Sequence, residues 1–395
     1  MKSDSTANRT LVMVSFVFFA LGLIMASIGP VLGELSSNTN TSLAAVGAIF
    51  TALFLGALVT QLFSSSISSR VGLHPILLAG TVLAALGMTG ISLSRSLPLL
   101  LISAMVLGLG HGAVNFSGNL SIATLFYEKR ATAINFANIF YALGAFIGPA
   151  LAGFSVIKFE TGLPVFWLGA LLIFSAGLMM IHTPLQRTDL SQTTIPATPT
   201  KTALLASPIL WVVVVLSFFY GGSETGMSGW TTTYLQQSVG FSLERAAFVT
   251  SAFYLALMVG RMLCSWLGSR LTELQILIST LAVTFAGTLL LITGYGNPIL
   301  STLAVLGIGL GYGGTYPTMI AFSTATFKET AAQAASVIIS VGSIGGMALP
   351  ALQGVILEQA GAQPTTFMVA GMAVMMLLAS LVGARLVHPV KAKSK

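Results

Sequence analysis

Tyr220-Gly-Gly-Ser-Glu-Thr-Gly-Met-Ser-Gly-Trp-Thr-Thr-Thr-Tyr234 follows directly on the apolar run Ile209-Leu-Trp-Val-Val-Val-Val-Leu-Ser-Phe-Phe219. Joined, the two are long enough to cross a bilayer as one helix, which takes about 20 residues. Near the middle stands Glu224, the one carboxylate that the sequence places inside a segment of spanning length. A charged carboxylate in hydrocarbon is costly to bury and either finds a partner or takes up a proton. Acids at that depth face protein or water and mark function. Gly221, Gly222, Gly226 and Gly229 let the backbone bend or open beside it.

Composition agrees with a membrane solvent. Of 395 residues, 55% are hydrophobic and only 7% charged, against about 25% charged in soluble domains. Forty-one glycines suit helices packed backbone to backbone. One cysteine, Cys264, excludes an intramolecular disulfide and a cysteine metal cluster, and it reads as a small packing residue. The net charge of +7 has no basic run with interleaved aromatics, so nucleic acid is not the expected partner. Lys2 and Arg9 before an apolar run resemble a signal peptide. That run, however, contains Gly29-Pro30 and has no small-residue cleavage site, so it is expected to stay as a first span.

Apolar segments fall at about 11–33, 43–65, 74–94, 98–120, 132–155, 163–182, 208–236, 246–268, 274–294, 298–322, 333–356 and 365–387. The expectation is an all-α membrane protein of twelve transmembrane helices in two six-helix, pseudo-symmetric bundles. They cover 1–182 and 208–395, with a cytoplasmic linker at 183–207. If both ends face the cytoplasm, only Arg95, Lys158 and Arg245 among seventeen Lys and Arg fall on the opposite side. That imbalance predicts a multi-pass plasma-membrane protein with both termini inside.

The halves echo one another. Gly108-Leu-Gly-His-Gly112 matches Gly309-Leu-Gly-Tyr-Gly313, and Gly144, Pro149 and Gly153 match Gly345, Pro350 and Gly354, all at an offset of 201. Six spans per half make the repeats parallel, which puts a solute site near the midplane between the halves.

Twelve spans as six plus six with a long central loop resemble the major facilitator superfamily over nearly the whole chain. Several motifs resemble its fucose-permease-like branch, which includes sugar–proton symporters and sodium-linked glucose transporters. They are Phe19-x-x-Gly22 with Gly29-Pro30, Gly108-x-Gly110-x-Gly112-x-x-Asn115-x-x-x-Asn119, and Asn135 with Gly144-Ala145-x-x-Gly148-Pro149. To these are added Glu224 with Trp230 and Tyr234-Leu235, and Gly311-x-Gly313 with Tyr316-Pro317-Thr318. The resemblance implies that spans one, four, seven and ten line a cavity. Two departures bear on mechanism: Ser69 replaces the acid usual before Arg70-Val-Gly72, and Asn115 stands where some members carry an acid in span four. Ion coupling therefore falls on Glu224, through H+ or Na+, with no tightly bound cofactor and no metal.

His111, Asn115 and Asn119 repeat every four residues, so they form one polar stripe. Asn115 and Asn119 either bind solute hydroxyls or hydrogen-bond neighbouring helices, and Asn138 faces the same choice with packing favoured. His111 is either a proton relay or a neutral packing residue. Glu224 shares a helical face with Tyr220, Ser228 and Thr231. Trp230 either stacks on a sugar or anchors near the membrane surface, and Tyr312 and Tyr316 join the candidate solute site. Arg70, Arg261 and Arg270 are expected to gate or cap the inner helix ends.

The function expected from all this is a secondary active transporter, monomeric, moving a small polar solute, most simply a monosaccharide, by ion-coupled alternating access. A proton-coupled exporter of drugs or lipophilic cations is the alternative on the same fold. No G-x-x-x-x-G-K-[ST] loop supplies ATP drive, and four scattered histidines with one intramembrane acid supply no enzyme site.

Overall fold

A computed structural model describes residues 2–126, 129–181, 204–327 and 330–392. Among the described residues lie twelve helices long and apolar enough to cross a membrane. They are α1 Lys2–Thr39, α2 Leu43–Val71, α3 Leu73–Leu93, α4 Leu97–Leu125, α5 Arg130–Phe159 and α6 Pro164–Ile181. The rest are α7 Pro208–Val239, α8 Leu243–Leu267, α9 Glu273–Thr293, α10 Pro298–Thr326, α11 Ala331–Gln359 and α12 Ala362–Ala392. Helices are what lipid demands, because every backbone N–H and C=O must be satisfied within the segment. Most of the linker at 183–207 lies outside the described residues, as do Arg187, Lys201, Lys328, Lys393 and Lys395 of the topology count.

Helix ends are set by local chemistry. Ser42 caps α2 by accepting from the Ala45 amide at 3.2 Å, and Asn297 caps α10 by accepting from Ile299 and Leu300 at 3.0 and 3.1 Å. Thr272 and Gln275 close a capping box at the start of α9. Gly72 alone joins α2 to α3 at φ 85°, a conformation that glycine adopts at least cost.

The helices outrun the apolar windows, and this corrects one expectation. Glu224 is not the only carboxylate in a spanning helix, because α1 continues past Pro30 to Thr39 and takes Glu34 with it. Glu34 accepts from the Gly162 amide at 2.8 Å and from the Thr161 hydroxyl, so it ties the end of α1 to the turn before α6. Glu34 lies one turn from the helix end; Glu224 lies sixteen residues from the start of α7 and fifteen from its end.

Contacts divide the described residues into two units. The first holds α1–α6 with Leu243–Ser251; the second holds α7, the rest of α8, and α9–α12. In the first, α1 packs on α5, and α2 and α3 pack on α4. In the second, α7 packs on α11 and α9 on α10. The duplication extends to individual contacts. A Cβ at Gly22 would overlap the Tyr141 carbonyl, and one at Gly144 the Phe19 carbonyl. In the second unit, Gly221 meets Gly342 and Gly345 meets Phe218 in the same way. Gly108 and Gly112 lie over the carbonyls of Leu53 and Ala57, as Gly309 and Gly313 lie over those of Phe253 and Leu257. These contacts place Tyr220, Ser223 and Glu224 at the positions that Leu21, Ile24 and Met25 hold in the first unit.

Candidate functional site

Tyr220 and Glu224 are one helical turn apart on α7, so their side chains meet on one face. The Glu224 carboxyl interacts electrostatically with the Tyr220 hydroxyl. That hydroxyl also reaches across to α10, 3.3 Å from the Tyr312 carbonyl. Next to it, Ser223 Oγ and the Tyr312 hydroxyl hydrogen-bond directly. The rings hold this geometry: Tyr220 stacks on Tyr316 at 5.9 Å and meets Tyr312 edge-on at 5.7 Å, and Phe253 closes the far side of Tyr312 at 6.3 Å. Tyr312 lies fourteen residues from either end of α10, with its side chain fully buried. Arg261, on α8, acts electrostatically on Glu224, Tyr220 and Tyr316, and its buried Nε makes no hydrogen bond.

This cluster can sort protons. Tyr220 has one hydroxyl proton and two acceptors within reach. With Glu224 ionised, that proton points at the carboxylate. With Glu224 protonated, the acid donates to the Tyr220 oxygen and the hydroxyl turns to the Tyr312 carbonyl.

The first unit holds a different arrangement on α4. Asn119 Nδ2 donates to the Asn115 carbonyl at 2.9 Å, which fixes its amide. The same nitrogen donates to Asn115 Oδ1 at 3.0 Å, which fixes the amide of Asn115 in turn. Asn115 Nδ2 therefore faces His111 Nε2, at 3.3 Å. An amide nitrogen only donates, so Nε2 accepts and the ring proton sits on Nδ1. The buried Nδ1 of His111 and the buried Oδ1 of Asn119 both lack a partner. His111 lies fourteen residues from either end of α4.

The other candidates are dispersed. Trp230 departs from both expectations: it is wholly buried inside the second unit, its indole N–H donates to the Pro350 carbonyl at 2.8 Å, and its ring covers Gly354. A ring sealed in this way neither stacks on solute nor reaches the membrane surface. Thr231 is buried and bonds back to the Met227 carbonyl. Ser228 hydrogen-bonds Tyr254. Asn138 donates to Ile134 of its own helix at 2.9 Å. Trp230, Thr231, Tyr234 and Gln353 border a cavity of about 10 Å³, room for one water. Arg70 is exposed in the last turn of α2, where a cation suits the helix dipole. Arg270 lies just beyond α8 with its guanidinium 4.3 Å over the Trp266 ring. Arg261, by contrast, is drawn into the Glu224 cluster. Sequence reasoning passed over Ser223, whose only signal was its place beside Glu224. Among the described residues, no group of three or more His, Cys, Asp or Glu gathers to hold a metal.

Known proteins resemble the chain along its length. Protein TsgA of Shigella flexneri is 25% identical over 395 residues, covering 96% of both chains. The TsgA homolog of Serratia proteamaculans is 23% identical over 371 residues, covering 91% of both. The crystal structure of a point mutant of the nucleoside transporter NupG shares the fold with TM-score 0.79 at 14% identity, over 95% of this chain and 99% of that one. A second crystal structure of NupG matches with TM-score 0.74 at the same identity, over 95% and 98%. The sequence pattern of the Major Facilitator Superfamily matches residues 14–350. With most of its length matched and twelve spanning helices, the chain belongs to the major facilitator superfamily of membrane transporters, and is a transporter rather than an enzyme.

Proposed function

We propose that the protein is a proton-coupled secondary transporter of a small polyhydroxylated solute of the sugar class, working by alternating access with Glu224 as the coupling group. The observation that carries this reading is Glu224 facing the Tyr220 hydroxyl, which is itself 3.3 Å from the Tyr312 carbonyl, at the centre of α7 and α10. A carboxylate at mid-membrane is costly to occlude while charged. Protonation therefore biases which conformations interconvert, and the proton gradient supplies the drive. The amides of α4 both donate and accept, which suits a hydroxylated solute better than an apolar cation. The likeness to NupG, a nucleoside transporter, supports a solute that carries a sugar. On this reading both termini face the cytoplasm, as the placement of Lys and Arg indicates, and the protein acts as a monomer in the plasma membrane.

The test is uptake into proteoliposomes of D-glucose, L-fucose, uridine and ethidium under separate proton and sodium gradients. The expected result is accumulation of a sugar or of uridine under the proton gradient. In Glu224→Gln, accumulation falls to the equilibrium level while exchange across the membrane persists. Ethidium transport without any sugar or uridine transport overturns the solute class, and sodium-driven accumulation overturns the coupling ion.

A further inference from the structure

We infer that the Nδ1–H of His111 is a hydrogen-bond donor kept free for the solute, and that with Asn119 Oδ1 it makes α4 a recognition element for hydroxyl groups. The inference rests on the transport reading above and names the groups that choose the solute.

Three observations carry it. First, the amide ladder fixes the tautomer: Asn119 orients Asn115, Asn115 donates to Nε2, and the remaining ring proton is on Nδ1. Second, that proton has no acceptor. A buried donor left alone is destabilising, and a solute that accepts from it relieves that cost. The Tyr141 ring lies 6.5 Å away and tilted by 59°. Third, the duplication explains why the partner is missing. His111 holds in α4 the position that Tyr312 holds in α10, fourteen residues from either end. Tyr312 finds Ser223 on α7, whereas the equivalent position on α1 is the buried, apolar Ile24. Tyr312 is satisfied within the second unit, whereas His111 Nδ1 is left open in the first.

The chemistry of the free groups defines the ligand. Nδ1–H needs an acceptor. Asn119 Oδ1, two turns along the helix, needs a donor. A hydroxyl is both, so a polyhydroxylated solute can meet each group with a separate hydroxyl. A cation without an acceptor atom leaves Nδ1–H unpaired.

The variants that test this separate the two ring nitrogens. Asparagine places its amide near the level of Nδ1; glutamine reaches the level of Nε2 and keeps the contact with Asn115. In proteoliposome uptake of L-fucose, D-glucose and uridine, His111→Gln is expected to raise the KM of the transported solute about tenfold or more. His111→Asn is expected to raise it several-fold less. A KM unchanged in His111→Gln, or a larger rise in His111→Asn than in His111→Gln, overturns the inference. The ring is read directly by 15N NMR of histidine-labelled protein, with His111→Asn identifying the resonance. The expected signal is a neutral ring protonated at Nδ1 that shifts when the transported solute is added, and a proton on Nε2 overturns the inference. Absence of transport for the whole panel would sink the functional reading, while the NMR signal still decides the tautomer on its own.

Discussion

The two units share a scaffold and differ at its centre. In the first, Gly22 and Gly144 bring α1 and α5 into backbone contact; in the second, Gly221 and Gly345 do the same for α7 and α11. Even burial repeats: Leu21 and Ile24 are buried and Met25 partly open, as Tyr220 and Ser223 are buried and Glu224 partly open. Three apolar side chains in one half thus stand where the other half has a phenol, a hydroxyl and a carboxyl. The packing that holds helices together is duplicated, and the chemistry is not. Close backbone approach depends on small residues in lipid, and in both units an added Cβ would overlap a facing carbonyl. The central face of α1 or α7, freed from that duty, carries apolar bulk in one and a proton site in the other.

The comparison can be broken most forcefully by making the second unit resemble the first. Glu224→Met, which copies Met25, should lower gradient-driven solute accumulation at least a hundredfold. Its Tm in detergent should fall, because Arg261 is left without the opposite charge beside it. The reverse change, Met25→Glu, gives α1 an acid in a unit whose counterparts of Tyr220 and Tyr312 are Leu21 and His111. It should destabilise the protein by about 3 kcal/mol, read as a fall in Tm that is absent for Met25→Gln.

The shared scaffold makes a smaller and symmetric prediction. Gly22→Ala and Gly221→Ala each press a methyl group into a facing carbonyl oxygen. Both should cost about 1–3 kcal/mol, the range for overpacking, and should do so equally. Gly33→Ala and Gly371→Ala meet nothing within 4 Å and serve as controls. Unequal losses in Gly22→Ala and Gly221→Ala would show that the duplicated contacts do not bear equal weight.

Much of the architecture was legible in the sequence because lipid imposes a simple rule. Spans of apolar residues gave the helices, and the glycine spacing of Gly108 and Gly309 gave the duplication that the contacts over Leu53 and Phe253 repeat. Helix ends were less legible. Hydropathy marks where hydrocarbon begins, whereas the helix runs on until a cap or turn stops it, which hid Glu34 inside α1. Side-chain direction was least legible. A helix apolar on every side carries no phase, so nothing in the sequence turned Trp230 inward towards Pro350. The partners of Glu224 were equally hidden: Tyr312 and Arg261 are far along the chain and reach it only through packing. Asn115 and Asn119 were readable as a stripe, but the proton on His111 Nδ1 follows only from the order of hydrogen bonds along it.

The central claim is that a proton on Glu224 moves with the solute. The most direct measurement is acidification inside proteoliposomes, read by an entrapped pH-sensitive dye when the transported solute is added outside with no other gradient imposed. Wild-type protein should acidify the lumen as solute enters, and Glu224→Gln should pass solute with no pH change. Solute entry without acidification in wild type, or acidification that survives in Glu224→Gln, would contradict the account.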